Sequence, residues 1–332
     1  MSKLNVLVTG GAGYIGSTVT AQLLRAGHEV VVYDNLSKGH RGAVSAGARL
    51  VTADISDRQA LDRVLRESKI DSVMHFAAFI EAGESMKEPE RFFRNNTASA
   101  LTLLEAALAN GVRRFVFSST AALYGEPERT PIVETDRLRP TNAYGESKLL
   151  VERMLEWFHR IHGLGYASLR YFNAAGATAT HGENHAPETH LIPLILQVAA
   201  GKREKISIFG TDYDTPDGTC VRDYIHVSDL ASAHLLALDA LAASTAPAQL
   251  IYNLGNGRGF SVREVIEVAR RVTGHAIPAV EMPRRAGDPA VLVASSDKIK
   301  NELHWKPCCA DLAEIVASAW DWMKRNPNGY QD

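Results

Sequence analysis

The stretch VTGGAGYIG, residues 8–16, constrains this chain more than any other. It ends a short apolar run, LNVLVTG, that reads as a strand. It opens YIGSTVTAQLLRAG, whose apolar residues recur at helical spacing and stop at Gly27. Gly10, Gly13 and Gly16 thus fall in the turn between a first strand and a first helix. Glycine there lets the backbone turn tightly and approach a pyrophosphate, which the helix N-terminus stabilises. Asp34 closes the next strand, HEVVVYD, twenty-one residues after Gly13. A carboxylate at that place accepts hydrogen bonds from the ribose hydroxyls of a dinucleotide's adenine half and repels an added phosphate, which favours NAD over NADP. Lys38 and Arg41 follow closely and weaken that preference.

Strand and helix keep alternating beyond this point. ARLVTADI, DSVMHFAA, RRFVFSST and GYASLRYFN read as strands; DRQALDRVLRES, NTASALTLLEAALANG and YGESKLLVERMLEWFHRIHG read as helices. The strands are near-continuous apolar runs, the pattern of a parallel sheet covered on both faces. The expected fold is α/β: a Rossmann-type doubly wound domain over residues 1–174, and a smaller α/β substrate domain over residues 175–332, with the chain free to cross between them. In the second part LIPLILQVAAG, SVREVIEVARRVTG and DLAEIVASAWDWMKRN read as helices and QLIYNLGNG as a strand. No internal repeat or low-complexity segment is present.

Composition narrows the class further. The net charge of −2 offers no electrostatic reason to expect nucleic acid or an anionic membrane as partner. No apolar run approaches the roughly 18 residues that span a bilayer, and MSKLNVLVTGG lacks a signal-peptide core. The cysteines, Cys220, Cys308 and Cys309, are few and have no metal-ligand spacing, which fits a cytoplasmic protein and no metal.

NAYGESK places Tyr144 and Lys148 four residues apart, on one face of a helix. A tyrosine hydroxyl has a pKa near 10, too high for a base at neutral pH. A neighbouring ammonium and a nicotinamide cation both favour the phenolate and lower that value. Alone, the pair is as easily a chance surface match; after the glycine loop it reads as proton-handling machinery. Thr120 in FSSTAALYG follows the fifth strand, where an α/β sheet presents its crevice, and its hydroxyl could relay a proton to Tyr144.

Together GGAGYIG, HFAA, SSTAALYG, YGESK and RYFNAAG resemble the extended short-chain dehydrogenase/reductase family. DYDTPDGTCVRDYIHVSDLA, IYNLGNGRGFSVREVI and RRAGDPA are similar to its UDP-glucose 4-epimerases, and the resemblance runs from Val6 to Tyr330. It implies that Tyr144 takes the proton of a sugar C4 hydroxyl while hydride passes to NAD, and that a 4-keto sugar turns over before hydride returns. Lys148 would also hold the nicotinamide ribose. Asp54 and Ile55 match an adenine-contacting pair, while Phe76, Ala77, Ala78 and Asn96 match a wall along the cofactor. Tyr14, Ile15, Asn35, Ser118 and Tyr171 are implied as further cofactor contacts. On the nucleotide-sugar side, Arg222 and Arg285 match pyrophosphate clamps. Asn173, Leu191, Phe209 and Asp288 match sugar, phosphate or uridine contacts. The family is commonly homodimeric through a four-helix bundle, here NTASALTLLEAALANG and YGESKLLVERMLEWFH.

Two positions depart from the family pattern. Ile80 and Glu81 stand where many members carry a lysine near the cofactor phosphates, so weaker NAD retention is expected. Leu292 falls at a sugar-pocket gate where a tyrosine excludes N-acetyl groups, so some turnover of UDP-N-acetylglucosamine is expected. Ala121 and Ala122 occupy the positions where dehydratases need an Asp-Glu pair. An epimerase of UDP-glucuronate and a non-catalytic NAD-binding regulator are the alternatives.

Overall fold

The structure, a computed structural model, describes residues 3–285 and 287–331. The first part of the chain runs β1 (Asn5–Thr9), α1 (Tyr14–Arg25), β2 (Glu29–Asp34), β3 (Arg49–Thr52), α2 (Arg58–Glu67) and β4 (Ser72–His75). Two short helices, α3 (Ala82–Ser85) and α4 (Pro89–Phe92), lead into α5 (Ser99–Ala109), β5 (Arg114–Thr120), α6 (Ala143–His162) and β6 (Gly165–Tyr171). The second part runs β7 (Asn173–Ala175), α7 (Leu191–Ala199), β8 (Ile206–Phe209), β9 (Val221–His226) and α8 (Val227–Ala243). It continues through β10 (Gln249–Leu254), β11 (Gly259–Ser261), α9 (Val262–Thr273), β12 (Ala279–Met282), β13 (Val291–Leu292), α10 (Asp297–Leu303) and α11 (Leu312–Arg325).

Seven parallel strands form the main sheet, in the order β10-β6-β5-β4-β1-β2-β3. Side chains alternate across it. Val6 and Val8 enter one core with Val19 and Leu23 of α1 and Leu230 and Leu238 of α8. Leu7, between them, enters the opposite core with Leu61 of α2, Leu103 of α5 and Leu155 of α6. Both faces are therefore apolar, which is why the strands lack a polar/apolar period. The order reverses between β1 and β4, and a ligand crevice is expected beyond the carboxyl ends of those two strands.

A third core gathers α7, α9 and α11 against β7, β8 and β9. Its strands are short and irregularly paired: β11-β9-β13 with β7 on β9, and β12 on β8. From the second half of the sequence, α8 and β10 return to the main sheet, β10 pairing with β6.

Behind the crevice lies a buried ion pair. The Arg170 guanidinium donates to both Glu152 oxygens, at 3.0 Å from Nε and 2.6 Å from Nη2, with both side chains almost fully buried. The Ser119 hydroxyl donates to Glu152 at 2.6 Å, and Arg170 reaches the Tyr124 hydroxyl at 3.0 Å. Removing one partner of such a pair leaves an uncompensated buried charge, which costs about 3–5 kcal/mol. Arg170→Met should lower unfolding free energy by about that amount in urea titration, whereas Glu152→Leu/Arg170→Met should recover much of the loss. A double variant no more stable than the single would show that packing, not charge, is at stake.

Candidate active site

One cleft of about 590 Å³ runs along the carboxyl edge of the main sheet and into the second unit. Its floor is the β1–α1 turn. Gly10 has φ of +73°, and a Cβ there would sit 2.5 Å from the Ala77 backbone nitrogen, so the two loops touch backbone to backbone. Gly13 caps α1 with no side chain across the helix end. Asp34, at the end of β2, lines the same cleft; its carboxylate accepts the N–H groups of Ala12 (3.0 Å) and Leu36 (2.8 Å). Burial pushes its pKa up, and those two donors partly offset the shift. Asn35 donates to Asp54 at 2.7 Å, so these two predicted adenine-side residues stand together beside Ile55. A backbone cradle, an open helix end and a carboxylate at the end of β2 fit a dinucleotide.

At the other end of the floor, Thr120 leaves β5 and Tyr144 opens α6. Asn142 caps that helix, accepting the Gly145 N–H at 2.8 Å. Ser85 accepts the Tyr144 N–H at 3.0 Å. Gly145 itself permits close approach, since a Cβ there would lie 2.6 Å from the Ala122 carbonyl oxygen. Thr120 and Tyr144 line the cleft together, and the Thr120 hydroxyl accepts the Ala122 N–H at 3.1 Å. Burial pushes the Tyr144 phenol up to about 12; the nearby Thr120 hydroxyl lowers it and the Glu81 charge raises it. Without a bound cation, Tyr144 is thus a neutral phenol. Lys148, one helical turn on, lies behind the cleft wall and donates to the Ser118 carbonyl at 2.9 Å. Its ammonium also sits 4.9 Å from the Phe117 ring centre. Burial drives Lys148 down to about 7. Below it His75, bonded to Thr9 at 2.7 Å, is held neutral by burial and by the Lys148 charge, at about 3. The Ser118 and Tyr171 hydroxyls share a 2.6 Å hydrogen bond at the same wall.

The far end of the cleft is cationic and aromatic. Asp288 accepts from Arg285 at 2.9 Å and lies 3.8 Å from Arg222. The Arg285 guanidinium stands 4.8 Å over the Phe209 ring. Asn173 and Leu191 complete the lining, with Asn173 donating to the Asp223 carbonyl at 3.1 Å. The cleft thus gathers every predicted site residue except Lys148, Asn96 and Leu292.

Asn96 and Leu292 stand off the cleft lining. Asn96 is buried behind the wall: it exchanges hydrogen bonds with the Phe79 backbone at 2.8 and 2.9 Å and donates to Ser147 at 3.1 Å. The chain from Phe93 to Ala98 winds as a π-helical turn, which carries Asn95 to the cleft instead. Leu292, opposite Arg222 in the β13–β9 pairing, packs with Phe172, Ala121, Tyr124, Ile132 and Ala294. The lysine missing after β4 has a counterpart on another loop. Lys38 lines the cleft, pairing with Glu81 at 3.1 Å and donating to the Ala186 carbonyl at 3.1 Å. A positive charge therefore still reaches this rim. Sequence reasoning also passed over Glu183, His185, Glu188 and His190, whose ligand atoms lie within 4.8 Å of one another. The visible signal was the spacing E-x-H-x-x-E-x-H.

Fold and cleft are those of a dinucleotide-binding α/β protein. Residues 6–255 match the NAD dependent epimerase/dehydratase family, and the chain belongs to it. The chain is 56% identical over 327 residues, 98% of each chain, to a protein of Streptomyces lividans named UDP-glucose 4-epimerase. A crystal structure of a UDP-glucose 4-epimerase superposes with a TM-score of 0.95 at 50% identity, covering 99% of this chain and all of the other. A UDP-glucose 4-epimerase of Bifidobacterium longum, in complex with NAD+ and UDP, superposes at 0.94 with 37% identity, covering 98% of this chain and all of that one.

The lowered Lys148 has a consequence for stability. An unfolded lysine titrates near 10.4, and the folded one near 7. Between those values the unfolded chain binds the proton that the folded chain has released, so stability of the ligand-free protein rises with pH. Calorimetry on wild type and Lys148→Met should show a smaller gain in Tm from about pH 7 to about pH 9 in the variant. Equal gains would place the titrating group elsewhere.

Proposed function

We propose that this chain is a UDP-glucose 4-epimerase, interconverting UDP-galactose and UDP-glucose with NAD as resident cofactor. The observation that carries this reading is the placing of Thr120 and Tyr144 side by side. They lie in one cleft that has a dinucleotide cradle at one end and the Arg222/Arg285 pair at the other. Bound NAD supplies reversible hydride transfer, so the reaction carries no net oxidation. Tyr144 takes the proton from the sugar hydroxyl and returns it, with Thr120 bridging its phenol to the substrate oxygen. Since burial and the Glu81 charge, against the Thr120 hydroxyl, hold Tyr144 near 12, the positive charge that lowers it must arrive with the ligands or from Lys148. Arg222 and Arg285 grip the diphosphate bidentately. That grip lies beyond the sugar, so the ring can offer either face to Tyr144. Ala121 and Ala122 provide no acid for eliminating water.

We also place the enzyme in the cytoplasm as a homodimer. Its three cysteines are free, and no helix among the described residues is long and apolar enough to cross a membrane. Trp157 and Ile161 of α6 are 60% and 66% exposed, and Leu101 of α5 is 38% exposed. Such an apolar stripe on two neighbouring helices suits a four-helix bundle with a second copy.

Incubated with UDP-galactose, the protein should form UDP-glucose without accumulating NADH. Tyr144→Phe should lower kcat by about 10²–10⁴-fold while still binding NAD. Net NADH would instead mark a dehydrogenase, and an unchanged rate in the variant would remove Tyr144 from the chemistry. In light scattering, Ile161→Glu should convert a dimer to a monomer; a wild-type monomer would refute the bundle.

A further inference from the structure

Between β7 and α7 the chain carries two buried carboxylates that no lysine or arginine accompanies among the described residues. The Glu183 and Glu188 side chains are 8% and 5% exposed. Their ionic partners are two imidazoles. His190 Nδ1 lies 2.8 Å from Glu183 and 2.9 Å from Glu188, and His185 Nδ1 lies 3.1 Å from Glu183 and 3.9 Å from Glu188. All four ligand atoms converge on one point within 4.8 Å of one another. Burial pushes Glu183 up, but His190 and His185 more than offset it and hold it low; His190 is raised in return against its own burial. Unprotonated imidazole nitrogens and carboxylate oxygens are the donor set that takes zinc and its neighbours in the first transition row. Tetrahedral zinc needs such donors about 3.4 Å apart, and three of the present separations are already shorter.

We infer that Glu183, His185, Glu188 and His190 form a binding site for one divalent transition-metal ion of the zinc class. The site's position suggests its purpose. The same segment is hooked to the loop after β2 through His40 to the Asn184 carbonyl (2.8 Å) and Lys38 to the Ala186 carbonyl. His185 also meets the edge of Tyr14, the first residue of α1, with ring centres 6.5 Å apart. An ion here would fasten the 183–190 segment over the dinucleotide cradle. Its role is structural, and its binding does not depend on the epimerase reading.

The test uses full-length protein dialysed against chelator and titrated at constant pH with Co2+, read by visible absorption, and with Zn2+, read by calorimetry. One ion per chain is expected, with a rise in Tm. Glu183→Gln/His185→Ala should weaken binding by at least about 100-fold, since even residues that merely orient a ligand are worth about 10–100-fold. Glu188→Gln, a near-isosteric change, provides the same test if the double variant folds poorly. Cys308→Ser/Cys309→Ser should leave binding unchanged. No stoichiometric binding by wild type, or binding that survives Glu188→Gln and vanishes with the cysteines, overturns the site.

Discussion

The Glu152–Arg170 pair sets how far α6 stands from the sheet, and the chemistry depends on that spacing. Tyr144, Lys148 and Glu152 recur every four residues, so they share one helix face. That face meets β5 at three levels: Tyr144 at Thr120, Lys148 at the Ser118 carbonyl, and Glu152 at the Ser119 hydroxyl. The lowest contact carries the bidentate ion pair to β6, where Arg170 continues to Tyr124 and so to Asn253 of β10. A buried pair adds little net stability. Its geometry is specific, however, and a slip of α6 along the sheet would unpair both charges. Positioning of the phenol is thus enforced from below, by groups that never face a ligand.

The layer between is dry and short of charge. His75 is kept neutral and Lys148 is depressed by the same burial that raises Tyr144. A low-dielectric floor makes any cation brought into the cleft more influential than it would be in water. The centre therefore waits for its ligands before it can move protons, which limits side reactions in the free protein.

Much of this was legible in the chain. Continuous apolar strands announced a parallel sheet because both faces are buried, and the glycine turn with Asp34 located the cradle. The misses have physical reasons. α8 escaped because VSDLASAHLLALDALAA is buried on several sides, against the sheet and α1, and so shows little helical period. β7, β11 and β13, of three, three and two residues, are too short for any period to emerge. Asn96 sits off the cleft lining, in a π-helical turn that spacing does not reveal. That Leu292 packs against Phe172 is a contact that alignment along the chain does not reveal. The Glu/His cluster was visible as letters, but only the fold showed that its four donors converge.

The return of the chain to its first sheet has a consequence for synthesis. β6 is an edge until β10 pairs with it, and the core holding Val6, Val8 and Val19 lacks the α8 side chains until then. A ribosome that has finished the glycine turn, the Thr/Tyr/Lys centre and all of α6 has still not made a closed sheet. The nascent protein must carry an open β edge and an uncovered apolar face while about eighty more residues emerge, roughly 4–16 s at ordinary elongation rates. During that interval it is most exposed to strand-edge association. The last third of the chain thus acts as an intramolecular chaperone for the first.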